Sequence, residues 1–224
     1  MQDFKDLIYN KRVIFAGPSR LLEGSNKGHW IDHFDTVVRT NGMFPVQEKY
    51  QKDYGKKCDA LYINAQYART RNPLPMEEFK ANKLKWVCYK TAVPTKDLNN
   101  KYRGFFQCRS FSSSIAELHK TVKGLLSGSA IIHDILQFEP TELWVTGIDF
   151  YMMAETQWEW DKHYVDNYLP EKILKEATEL KKQGKLIPHD VHSNMLYMIS
   201  QYKAGKIKFD DDILKLLGLY RSYA

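Results

Sequence analysis

Nowhere in these 224 residues does an apolar run approach the ~18 consecutive residues that a transmembrane helix requires. Cysteine is scarce. Cys58, Cys88 and Cys108 are odd in number and widely spaced, which argues against a disulfide framework and against a paired CxxC zinc site. Internal repeats, low-complexity segments and Pro/Gly/Ser-rich linkers are missing too, so residues 1–224 read as one domain. The opening Met1-Gln2-Asp3-Phe4-Lys5-Asp6 carries acidic residues and no apolar core follows it, unlike a signal peptide. These absences lead to the expectation of a cytoplasmic protein with reduced thiols. Two phosphate signatures are also absent. The first loop, from Gly17 to Gly28, fits neither GxGxxG nor GxxxxGK[ST], which removes the dinucleotide and P-loop assignments on spacing.

What is present points to a globular fold: 43% hydrophobic, 27% charged and 13% aromatic residues exclude a disordered chain. Lys and Arg number 33 against 27 Asp and Glu, a net charge of +6 that suits an anionic partner such as a nucleotide, a nucleic acid or a phosphorylated lipid.

Short apolar runs alternate with helical patterns. Val13–Ala16, Asp35–Arg39, Asp59–Ile63, Lys85–Tyr89 and Leu143–Gly147 read as buried strands. Helical stripes run from Gly128 to Phe138, from Pro170 to Gln183, and from Val191 to Tyr202. Strands that are apolar throughout, alternating with helices, predict an α/β fold: a Rossmann-like, mainly parallel sheet with helices on both faces. Ligands of such sheets bind beyond the carboxyl ends of the strands, where Gly17-Pro18-Ser19, Thr40-Asn41, Asn64 and Gly147-Ile148-Asp149 fall.

The run VIFAGPSRLLEGSNKGHWIDHFDTVVRTNG, from Val13 to Gly42, resembles the long donor-binding motif of the sialyltransferase family. Gly17, Ser19, Gly24, Gly28, Ile31, Asp32, Asp35, Val38, Arg39 and Asn41 fall in the family's order, with Pro18 where the family often has Asn. Asp59-Ala60-Leu61-Tyr62-Ile63-Asn64 looks like the next family strand. Ser127-Gly128-Ser129 with the following helix and strand resembles the short motif, although Leu125-Leu126 replaces its usual opening. His163-Tyr164-Val165-Asp166 is similar to the third motif, and His189 with Asn194 to the last, His-x4-Glu, in which Asn replaces the Glu. The Cys pair and membrane anchor of the animal enzymes are absent, as in a divergent, soluble, virus- or bacterium-like member whose setting would be the host cytoplasm if viral.

The resemblance implies a variant GT-A glycosyltransferase that inverts configuration at the sugar, takes a CMP-type donor and needs no metal or other cofactor. Gly17, Ser19, Asn41, Asn64, Ser127, Gly128, Ser129 and Tyr164 would hold the donor. His163 would face the leaving phosphate, and His189 would act as general base on the acceptor hydroxyl, since an imidazole can accept a proton near neutrality. His192 competes for that base role, and Ser127 reads equally as a helix N-cap. The acceptor is expected to be a glycan. DNA carrying a hydroxylated base is an alternative, motivated by the basic and aromatic residues at Tyr89-Lys90, Lys101-Tyr102-Arg103 and Phe105 to Arg109; a non-catalytic nucleotide- or nucleic-acid-binding module is another. Asp210-Asp211-Asp212 formally contains Asp-x-Asp, but its position before Ile213-Leu214 predicts an acidic helix start instead.

Overall fold

In the computed structural model of the protein, residues 3–64, 74–150 and 190–219 are described. Seven strands form one sheet: β1 (Arg12–Ala16), β2 (Thr36–Thr40), β3 (Ala60–Ile63), β4 (Trp86–Tyr89), β5 (Gln107–Ser110), β6 (Glu142–Thr146) and β7 (Lys208–Phe209). Their order is β5-β4-β3-β2-β1-β6-β7, and every neighbouring pair is parallel. The chain moves outward from β1 to β5 and then returns to β1's other side with β6. That reversal opens a crevice at the carboxyl end of β1, where the connections diverge.

Apolar side chains cover both faces, and the pleat decides which. Val13 and Phe15 of β1, with Ala60 and Tyr62 of β3, join the core under the helix Ser127–Leu136. Ile14 and Ala16 point the other way, toward Leu22, Ile31 and Phe34, while Leu61 and Ile63 pack with Phe79, Val87 and Phe106. Strands buried on two faces need the near-continuous apolar runs seen in β1 to β4. β5 and β7 do not have them, and neither is among the strands expected from sequence. Gln107–Ser110 is a half-buried edge, and Lys208–Phe209 is too short to show a period.

The outer side of β5 is already occupied. Asn99 accepts a hydrogen bond from the Cys108 backbone N–H (2.5 Å) and donates one to the Cys108 carbonyl (3.1 Å). The three cysteines are buried as free thiols, which burial pushes to high pKa, about 12 for Cys88 and Cys108. No helix of the described residues is long and apolar enough to cross a membrane.

A buried polar knot ties sheet to helix. Asp134, fully enclosed on the Ser127–Leu136 helix, receives both Arg109 guanidinium nitrogens (2.5 and 3.0 Å), the Tyr62 hydroxyl (2.7 Å) and the Ser114 hydroxyl (2.6 Å). Arg109 also lies over the rings of Phe4 (4.3 Å) and Phe138 (5.0 Å). This corrects one motive for a DNA acceptor. Arg109 is spent inside the protein, Tyr102 and Phe106 are core residues, and Lys101 and Lys80 cover the rings of Tyr102 and Phe105.

Candidate active site

The helix Ser127–Leu136 leads into β6 and so runs antiparallel to the strands, with its N-terminus at their carboxyl edge. Gly17, Asn41, Asn64 and Lys90 follow β1, β2, β3 and β4 at that same edge. Five of the sheet's connections therefore meet at one end of the molecule, at the crevice the topology provides.

Gly17 is there for lack of room. A Cβ would collide with the carbonyl oxygen of Gly147, and Gly147, at φ +65°, meets Gly17 in return. The β1 and β6 loops thus touch backbone to backbone, with Ser19 N–H donating to Gly147 O (2.9 Å). Ser19 is buried. Its hydroxyl accepts from Leu21 N–H (3.1 Å) and its carbonyl accepts from the Tyr54 hydroxyl (2.8 Å). Other members of the long motif serve the scaffold. Arg39, wholly buried, donates to the carbonyls of Lys57 (2.8 Å) and Tyr54 (2.6 Å), and Asp32 accepts from the N–H groups of Lys56 and Lys57. The spacing from Asp32 to Arg39 is what it takes to fix the β2–β3 connection from both sides.

Asn41 and Asn64 are brought together. Asn41 takes a left-handed backbone (φ +48°), which Asn tolerates better than most residues, and its Oδ1 accepts from Asn64 N–H (3.0 Å). A reading of Asn41 as a strand-end ligand contact alone is therefore incomplete, because it also shapes the turn that presents Asn64.

At the helix start, Leu126 occupies the cap position and Ser127 is the first helical residue, which corrects the reading of Ser127 as N-cap. The first-turn N–H groups of any helix lack intrahelical partners and carry the positive end of its dipole. Gly128 has only ordinary neighbours among the described residues, Ile148 at 3.5 Å and Phe15 at 3.7 Å from a notional Cβ, so packing does not demand glycine there. Close approach of a ligand to the backbone would. Ser129 is 1% exposed, and its Oγ has no hydrogen-bond partner among the described residues.

Lys90 is the residue that sequence reasoning missed as a site group, having placed it in a basic surface patch. Its ammonium donates to the carbonyl of Leu125 (2.6 Å), two residues ahead of Ser127, and no carboxylate pairs with it among the described residues. Burial lowers its pKa to about 8. A cation with no counter-ion among the described residues, beside a helix N-terminus, forms an electropositive corner suited to an anion. The available signal was its place directly after an apolar strand.

His163, Tyr164 and His189 lie outside the described residues, as does the helical stripe from Pro170 to Gln183. The residue after His189 is described: Asp190 caps the helix Val191–Lys203, accepting from Ser193 N–H (2.9 Å). That helix begins at the same edge, because Asn194 Oδ1 accepts from Leu126 N–H (2.9 Å). Asp210 caps the helix Asp211–Leu216, as the acidic start predicted, and Asp210 and Asp212 hold the Lys27 ammonium at 2.6 and 2.5 Å. That Asp-x-Asp is thus paired with a resident cation.

The sequence model of Glycosyltransferase family 29 (sialyltransferase) matches residues 10–113. No curated protein matches the chain by sequence. Among solved structures, a mammalian sialyltransferase in complex with Gal-beta-1-3GalNAc-ortho-nitrophenol is similar at TM-score 0.52 and 14% identity, covering 92% of this chain and 71% of that one. The sialyltransferase CstII from Campylobacter jejuni, in complex with the substrate analogue CMP-3FNeuAc, is similar at TM-score 0.51 and 17% identity, over 89% of this chain and 78% of that one. The fold is shared with both.

Proposed function

Residues 10–113 match the sialyltransferase family model, and from that premise we propose that the chain is an inverting, metal-independent transferase moving sialic acid or a similar sugar from a CMP-linked donor to a glycan hydroxyl. The observation that carries this reading is the convergence at one sheet edge of the Asn41–Asn64 pair, the Lys90 ammonium and the N-terminus of the Ser127–Leu136 helix, which no side chain among the described residues caps. A CMP-sugar presents complementary chemistry: a polar base and ribose, one phosphate, and a carboxylate when the sugar is sialic acid.

In the proposed mechanism Gly17, Ser19, Asn41 and Asn64 hold the nucleoside side of the donor. Ser127, Gly128 and Ser129 offer N–H and hydroxyl donors to its anionic groups, with Lys90 beside them. His189 accepts the acceptor's hydroxyl proton as that oxygen attacks the anomeric carbon from the face opposite the phosphate. The bond from that carbon to the phosphate oxygen breaks, and CMP departs with the electron pair. His163 and Tyr164 steady the phosphate as charge collects on it, the kind of electrostatic help that is worth most in a water-poor site.

A thermal-shift comparison of CMP, UDP and GDP, with and without EDTA, tests the donor. CMP at about 100 times its Kd is expected to add about 2.7 kcal/mol of stability, whether or not EDTA is present. Stabilisation by UDP alone, or loss of the CMP effect with EDTA, would overturn the donor assignment.

Lys90 gives the site a pH signature. Its folded pKa lies below that of a free lysine, so its charge is full at neutral pH and is lost as pH rises through about 8. CMP affinity is expected to fall across that range in the wild type and to change much less in Lys90→Met, as read by titration calorimetry. Parallel curves for the two proteins would remove Lys90 from the site.

A further inference from the structure

The turn Lys123–Leu126, which delivers the chain into the Ser127–Leu136 helix, is held by Lys90 on the Leu125 carbonyl, by Ser193 Oγ on the Lys123 carbonyl (3.2 Å), and most extensively by Asn194 of the helix Val191–Lys203. Asn194 is wholly buried and engages both ends of its amide. Oδ1 accepts from Leu126 N–H at 2.9 Å. Nδ2 donates to the carbonyl of Asp190 at 2.7 Å and reaches those of Gly124 and Lys123 at 3.2 and 3.4 Å. The Asp190 carbonyl belongs to the residue following His189, and Leu126 precedes Ser127. One amide thus bridges the backbone beside the base to the backbone beside the donor groups. We propose that Asn194 is a positioning residue, which sets the separation between the helix entry at Asp190, the residue next in sequence to His189, and the Ser127–Ser129 helix start, and that only an amide can fill the role.

This rests on the transferase reading above and extends it to a residue that touches no substrate. An ionised carboxylate accepts hydrogen bonds but donates none, so Asp at 194 would set its oxygens against three carbonyls. Glu, the residue of the family motif, would add a methylene to a filled site as well as the charge. Alanine would leave Leu126 N–H buried without an acceptor. Among the described residues, the ionisable groups around the position are Asp190 and His192 at the start of its own helix, Lys123 on the turn, and Lys90 from beyond β4, whose ammonium sits on the Leu125 carbonyl. A carboxyl group enclosed among carbonyls has a raised pKa, and once protonated it regains one donor. Acid should therefore repair Asn194→Asp and should not repair Asn194→Ala.

The test uses the full chain with CMP-sialic acid and a Gal-beta-1-3GalNAc acceptor, at a temperature below the Tm of every variant. At about pH 8 both variants are expected to lose on the order of 10-fold or more in kcat, with the donor KM within about threefold of wild type, because a misplaced base slows the chemical step more than it weakens donor grip. Between about pH 8 and about pH 5.5 the ratio of Asn194→Asp to wild-type kcat is expected to rise at least ~5-fold, while the Asn194→Ala ratio stays level. A part that is only structural would lower Tm and leave kcat and its pH profile alone. If Asn194→Asp does not fold near pH 8, Asn194→Ala carries the comparison of kcat with KM. Wild-type kcat in Asn194→Ala, or an Asn194→Asp ratio indifferent to pH, overturns the proposal. Failure of the wild type to transfer overturns the transferase reading, and this one with it.

Discussion

Alanine at His189 is expected to lower transfer by roughly 10²–10⁴-fold, the usual scale for removal of a general base. CMP affinity should survive, since the imidazole acts on the acceptor's proton and not on the donor. Asp190, the next residue, caps its helix through Ser193, and its carbonyl is gripped by Asn194, so the backbone beside His189 is fixed relative to Ser127. His192, the rival histidine, is the second residue of that helix and not the His of the family motif, and His192→Ala should be mild by comparison. Wild-type turnover should rise with pH as His189 becomes neutral, and should turn down again through about pH 8 if loss of the Lys90 charge weakens donor binding. Paired kcat and CMP-affinity measurements on both variants decide the matter. Normal turnover in His189→Ala with collapse in His192→Ala would move the base to the other histidine.

The second large effect concerns stability. Asp134→Ala removes the acceptor for Arg109, Tyr62 and Ser114 together and leaves the guanidinium, 17% exposed, with no carboxylate. Breaking a buried pair from one side costs about 3–5 kcal/mol. At roughly 2–4 °C per kcal/mol for a chain of this size, Tm should fall by on the order of 10 °C. Burial, with Asp134 alongside, drives the Tyr62 hydroxyl to high pKa, so it stays a donor and needs that acceptor at any ordinary pH. A drop below about 2 °C in a thermal melt would show that the knot contributes little.

Much of this architecture was readable before any coordinates, for a physical reason. β1 to β4 and β6 each carry two or more adjacent apolar residues that point to opposite faces, so their runs stand out whatever their neighbours do. β5 could not be seen that way. As an edge strand it needs only Cys108 fully buried, and its Arg109 looked like part of a basic surface. The sign that Arg109 turns inward was on a different element: Asp134 interrupts the apolar stripe of Ile131, Ile132 and Ile135, and an acid among isoleucines implies a buried cation. Asn41 and Asn64 were placed correctly at their strand ends, but their contact with each other depends on register between β2 and β3, which a linear motif does not carry. Asn194 looked like the loss of a carboxylate; only the three-dimensional arrangement of four backbone groups makes it a gain of two donors.

The clasp of Asn99 on Cys108 bears on whether the edge of the sheet at β5 can pair with a foreign strand. In a strand, one residue's N–H and C=O point to the same side, so each outward-facing residue of β5 is a docking step for a foreign strand. Asn99 fills the middle step with its own amide, which copies the donor and acceptor of a peptide group. At Cys108 the sheet's edge is closed from within, by a side chain that imitates the next strand.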